Sequence, residues 1–104
     1  KMNQRDQIRH CLIDGPLAFD NAISLESAIH KGIRSDVAGD TDLLIMPDIE
    51  VGNVLYKSLV FFAHAGVAAV ILGATAPIVL TSRSDSDQAK YYSIVLAAAI
   101  SRQD

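Results

Sequence analysis

The chain has 104 residues, half of them apolar and 20% charged, with a mean hydropathy of +0.25. That composition can bury a core, which excludes intrinsic disorder. Nine Lys and Arg against twelve Asp and Glu leave a net charge of −3, with no Trp and three each of Tyr and Phe. These numbers exclude the basic footprint and the stacking platform of a nucleic-acid binder.

Taken in chain order, residues 1–9 are largely polar and read as the exposed end of a helix that begins elsewhere, so that a fragment is expected. Cys11-Leu12-Ile13 is a short apolar run stopped by Asp14-Gly15-Pro16. Cys11 has no second cysteine to pair with, which fits a cytoplasmic chain, and its neighbour His10 points the other way if the run is extended. Ser24 to Lys31 reads as a helix capped by Ser24 and stopped by Gly32. Residues 34–42 hold too many short polar groups and breakers for a regular element. Leu43-Leu44-Ile45-Met46, ended by Pro47, has the pattern of a strand buried on both faces.

From Glu50 to about Ala65, Val51, Val54, Leu55, Leu59 and Phe62 recur at helical spacing. Gly66 ends that helix, and Val67 to Leu72 and Pro77 to Leu80 read as further strands joined through Gly73-Ala74-Thr75-Ala76. A closing helix runs from Ser84 to about Arg102, with Asp85 and Asp87 in its first turn. Its run Ile94-Val95-Leu96-Ala97-Ala98-Ala99-Ile100 is far shorter than the roughly 20 residues that span a bilayer, so no membrane is expected as a partner. Strands alternating with helices predict an α/β fold, a mostly parallel sheet with helices on both faces.

Such sheets bind ligands at the carboxyl ends of their strands, which singles out loops 14–20, 47–53, 73–76 and 81–87. Thr81-Ser82-Arg83-Ser84-Asp85-Ser86 offers hydroxyls, a fork-shaped guanidinium and the start of a helix, a set suited to phosphate or carboxylate. The plainer reading is that Ser84 caps the helix while Arg83 sits in solvent or pairs with Asp85 or Asp87. In the 47–57 stretch, Gly52 falls in the first helical turn, where it costs roughly 0.5–1 kcal/mol against Ala, and a close-approaching ligand would account for it. Asn53, Tyr56 and Lys57 share a face by their spacing. The plainer reading has Asp48 capping the helix and Tyr56 and Lys57 lying along its edge. Asp14 could point into a crevice or simply close a tight turn. His10, His30 and His64 lack metal-ligand spacing, so no metal is expected. Dinucleotide, P-loop and nucleophile-elbow glycine patterns are missing from the sequence.

In this order, Asp14-Gly15-Pro16-Leu17-Ala18-Phe19-Asp20-Asn21-Ala22, Lys31-Gly32-Ile33, Val37-Ala38-Gly39, Pro47-Asp48, Gly52-Asn53 with Tyr56-Lys57, and Pro77-Ile78-Val79-Leu80-Thr81-Ser82-Arg83 form a specific set. Over about 13–100 the chain resembles the C-terminal part of the phosphate acetyltransferase and phosphate butyryltransferase family. It is also similar to the acyltransferase part of bifunctional enoyl-CoA hydratase/phosphate acetyltransferases. The resemblance implies an isocitrate/isopropylmalate dehydrogenase-like fold of which residues 1–104 are a C-terminal segment, the N-terminal half being absent. It implies acyl exchange between coenzyme A and phosphate, with CoA a substrate, no further cofactor, and a homo-oligomer; the apolar 94–100 run of the closing helix is either the surface copies share or is buried within one chain.

By the same resemblance Ser82 and Arg83 hold the phosphate and the charge developing on the carbonyl oxygen, and the helix start after Ser84 adds backbone donors. Thr81, Ser84, Asp14, Gly52, Asn53, Tyr56 and Lys57 are the substrate-binding candidates. The acetyltransferases carry, six residues after the arginine, an aspartate thought to act as base; here that position is Ala89, which leaves Asp85 as the candidate base. The alternatives are a non-catalytic anion- or CoA-binding module of the same fold and, more distantly, a dehydrogenase of the same superfamily.

Overall fold

The computed structural model describes residues 6–101, and they contain four helices: α1 (Phe19–Ile23), α2 (Leu25–His30), α3 (Ile49–Phe61) and α4 (Asp87–Ser101). The chain divides into two units, 1–46 and 47–104. Of the opening stretch expected to be helical, 1–5 lie outside the described residues, and 6–9 form a turn in which the Arg9 guanidinium Nε donates to the Asp6 carbonyl at 2.8 Å.

In the first unit α1 packs on α2 across a single-residue corner. Ser24 makes that corner: its N–H donates to the Asp20 carbonyl at 2.9 Å, and its hydroxyl accepts from the Ser27 N–H at 3.2 Å, capping α2 as expected. Gly32 ends α2 in the left-handed region (φ +65°). Its N–H reaches the Ile29 carbonyl at 3.0 Å, and the Ile33 N–H reaches the Ala28 carbonyl at 2.9 Å, a Schellman pair. The small buried core is Ala22, Ala28 and Ala38 with Asn21. Gly39 docks against it, donating its N–H to the Ala22 carbonyl at 3.1 Å with φ +81°. A Cβ there would sit 2.5 Å from the Leu25 Cα, so only glycine permits the approach.

In the second unit Asp48 caps α3, its carboxylate accepting from the Val51 N–H at 2.8 Å. Helix α3 stops at Phe61, short of the expected Ala65. The Ala63 and Ala65 N–H groups loop back to the Ser58 and Leu59 carbonyls, and the reversal falls on His64 (φ +52°) rather than on Gly66. Helix α4 begins at Asp87, not Ser84, because Ser86 is the residue whose hydroxyl accepts from the Ala89 N–H, at 3.1 Å. The end expected at about Arg102 lies outside the described residues.

The expected mostly parallel α/β sheet is not formed. Among the described residues there is no strand, only one antiparallel bridge between Ile71 and Ile78, with N···O distances of 2.8 and 3.4 Å. Two physical reasons account for the error. A run of apolar residues supplies β-propensity, but a strand exists only where a neighbour completes the ladder. Among the described residues the runs at 11–13, 43–46, 67–72 and 77–80 form no ladder beyond that bridge, and their side chains stay largely in the open, Ile45 at 82% and Leu80 at 74% exposure. In addition, the connection through Gly73 (φ +101°) is far shorter than the dozen or so residues a parallel crossover requires, so the chain doubles back on itself. The 67–72 run takes a backbone partner from a helix instead. The buried Ser93 hydroxyl of α4 accepts from the Ala69 N–H at 2.9 Å and donates to the Ala89 carbonyl at 2.8 Å.

Candidate functional site

The residues leading into α4 fold into a tight turn over 82–85. The Asp85 N–H donates to the Ser82 carbonyl at 3.1 Å, the bond that closes a β-turn. The Asp85 carboxylate returns the link, its Oδ2 accepting from the Ser82 N–H at 2.7 Å. This reciprocal pairing follows the logic of a capping box, with side chain and main chain of one residue each satisfying the other. The second carboxylate oxygen, Oδ1, accepts from the Tyr56 hydroxyl of α3 at 2.8 Å. Inside the turn the hydroxyls of Ser82 and Ser84 lie 3.0 Å apart, and the Ser84 N–H donates to the Ser82 hydroxyl at 3.3 Å.

Arg83 occupies the second position of this turn and is exposed. The plainer reading pairs it with Asp85 or Asp87, yet the single ion pair among the described residues is Lys31–Asp20 in the other unit. Asp85 has given both oxygens to Ser82 and Tyr56. The arginine stands on a hydrogen-bonded turn with no ion pair to a carboxylate among the described residues, an arrangement able to receive an anion. Burial pushes the Tyr56 phenol up from its usual 10.0, and the hydrogen bond to Asp85 and that group's charge push the same way. Tyr56 is thus a neutral donor throughout the physiological range.

The other expected site residues distribute unevenly. Thr81 immediately precedes the turn and is partly buried. Tyr56 faces Asp85, whereas Asn53 and Lys57, placed with it by spacing, lie with Val54, Ser58, Phe61 and Phe62 around an open, largely apolar groove of about 400 Å³. Gly52 lies in the opening turns of α3 and donates its N–H to the Asp48 carbonyl at 3.2 Å. The helix start expected after Ser84 falls at Asp87, and the Ala89 N–H of its first turn is taken by the Ser86 hydroxyl. Ala89 itself is buried.

Asp14 belongs to the first unit. The Ser35 hydroxyl and then the Gly15 N–H, the latter at 2.7 Å, hold its carboxyl below the usual carboxylate range. Ser35 also accepts from the Val37 and Ala38 N–H groups at 3.0 and 3.1 Å. In that unit sequence reading missed a cluster on Asp20. Its Oδ2 accepts from Lys31 Nζ and from the Ser27 hydroxyl, each at 2.5 Å, and the carboxyl is lowered to about 2 by the Lys31 and then the Ser27 hydrogen bond. Asp20 and Lys31 are eleven residues apart, a spacing no single-helix rule flags; only the corner at Ser24 brings them together. Among the described residues no three His, Cys, Asp or Glu side chains gather where a metal ion could be held, and no helix is long and apolar enough to cross a membrane.

Residues 1–98 match the family model described as "Phosphate acetyl/butaryl transferase", and the chain belongs to this family. It is 59% identical to a phosphate acetyltransferase of Thermotoga maritima over 94% of this chain and 33% of that protein. It is 57% identical to a probable phosphate butyryltransferase of Bacillus subtilis over 99% of this chain and 34% of that one. The crystal structure of a branched-chain phosphotransacylase from Enterococcus faecalis V583 superposes with a TM-score of 0.73 at 49% identity, covering 81% of this chain and 32% of the other. The chain thus spans about a third of the length of the curated relatives it matches.

Proposed function

We propose that the intact protein transfers an acyl group between coenzyme A and phosphate, and that the 82–85 turn holds the phosphate end of the acyl phosphate. In the direction of acyl-CoA synthesis, the CoA thiolate attacks the carbonyl carbon. The C–S bond forms, the C–O bond to phosphate breaks, and the phosphate departs with the electron pair. Arg83 offsets negative charge on the phosphate and on the carbonyl oxygen as it develops, and the Ser82 hydroxyl donates to the same group. The thiol must lose a proton to react, since a free thiol titrates near 8.5. Asp85 is the carboxylate of this turn, and each of its engaged oxygens keeps a second lone pair for that proton. Thr81 and Ser84 flank the phosphate position. Gly52, Asn53 and Lys57 of α3 and Asp14 of the first unit are proposed as further contacts to the substrates.

The observation that carries this reading is an Arg83 with no ion pair among the described residues, beside a carboxylate hydrogen-bonded into the turn. Acyl transfer by the intact protein and its Arg83→Ala variant tests it. Loss of the guanidinium should lower the rate about 10²–10³-fold, as loss of one oxyanion donor does elsewhere; an unchanged rate would remove Arg83 from the site.

A second reading, a CoA- or anion-binding module without turnover, draws on the buried Ala89 where the resemblance places an aspartate. Saturable CoA binding with no acyl transfer would favour it. We further propose a cytoplasmic, homo-oligomeric protein. The lone cysteine suits a reducing compartment, and the exposed Ile94 and Val95 of α4 give copies an apolar face to share. A monomer in sedimentation equilibrium would rule out the assembly.

A further inference from the structure

Resting on the phosphate-site reading above, we propose that Tyr56 is a positioning residue for acyl transfer: through Asp85 it fixes the turn that presents Ser82 and Arg83. Three bonds in series carry this. The Tyr56 hydroxyl donates to Asp85 Oδ1 at 2.8 Å, Asp85 Oδ2 accepts from the Ser82 N–H at 2.7 Å, and the Asp85 N–H closes on the Ser82 carbonyl at 3.1 Å. The last two bonds are local and turn with the loop. The first is the one that reaches across 29 residues of sequence, and it ties the turn to a thirteen-residue helix. Without it, the carboxylate can rotate about its side-chain torsions and the turn loses its link to α3.

A catalytic constellation must be held within a fraction of an ångström by groups whose own geometry is fixed. Tyr56 meets that need because it is partly buried on α3 and stays a neutral donor well above neutral pH. The brace therefore orients Ser82 and the turn on which Arg83 stands. Tyr56 touches no reacting atom in this account.

The test uses the intact protein and compares Tyr56→Phe, Asp85→Ala, the double variant and Arg83→Ala. Removing a hydrogen bond to a charged group should lower kcat/KM for acyl phosphate about tenfold in Tyr56→Phe. That loss should appear chiefly as a higher KM for acyl phosphate, with KM for CoA within about twofold of wild type, a split that general loosening of the fold would not give. Asp85→Ala should show the same selective rise in KM for acyl phosphate together with a fall in kcat, because it also removes the proposed base. Adding Tyr56→Phe to it should cost less than about twofold more, because the two residues act in series. Unchanged kinetics in Tyr56→Phe, equal rises in both KM values, or additive losses in the double variant would each overturn the inference. If Arg83→Ala is impaired while Tyr56→Phe is not, this inference alone fails; if Arg83→Ala keeps full activity, the phosphate-site reading fails with it.

Discussion

The α1–α2 corner and the 82–85 turn are both held by a carboxylate that accepts from two donors, but they treat their cations in opposite ways. At the corner, Asp20 binds Lys31 and Ser27, so the cation is consumed by the fold. In the turn, Asp85 binds the Ser82 N–H and the Tyr56 hydroxyl, two neutral donors, and Arg83 has no ion-pair partner among the described residues. The difference separates a cation consumed by the fold from one left exposed, which is the ground on which the turn is proposed as the anion site.

The largest expected effect breaks the second half of that contrast. Arg83→Ala should lower acyl transfer about 10²–10³-fold while leaving the thermal midpoint almost unmoved, since the side chain is exposed and supports nothing. A large stability loss in this variant would place the arginine in the scaffold. Ser93→Ala should do the reverse. It strands the Ala69 N–H and should cost about 1–3 kcal/mol in denaturant unfolding, with the phosphate interaction retained.

Gly39→Ala sharpens the account of the corner. The left-handed backbone alone costs about 1–2 kcal/mol for a side chain, and the Leu25 backbone must also give way. A neutral substitution would mean the loop does not dock as described. The smallest effect is in acid. Because the Asp20 carboxyl is held at about 2 instead of 3.8, its contribution is fully present above 3.8 and is lost as pH falls toward 2. Asp20→Asn should flatten that part of the stability curve by a modest amount, the pair being half exposed. An unaltered acid limb would show the clasp to be worth nothing.

What the sequence disclosed follows from the range of the interactions involved. Helix α2, with its Ser24 cap and Gly32 stop, and the Asp48 cap of α3 are set by neighbours three to five residues away, and all were legible. The strands were not, because ladder bonds depend on a distant partner that apolar runs such as Leu43-Leu44-Ile45-Met46 do not specify. The Ser82-Arg83 turn was visible from its residue types, and its family resemblance from their order. The Tyr56–Asp85 bond was invisible, since helical spacing grouped Tyr56 with Asn53 and Lys57, while the structure turns it toward the loop. Ser86 displaced Ser84 as the cap of α4, as neighbouring serines with equal propensity can.

The central claim is that the 82–85 turn receives phosphate, and a crystal structure of the intact protein with phosphate bound tests it most directly. We expect the anion within hydrogen-bonding distance of the Arg83 guanidinium and the Ser82 hydroxyl, with the Tyr56–Asp85 bond intact. Phosphate bound elsewhere, with Arg83 still facing solvent, would contradict the account.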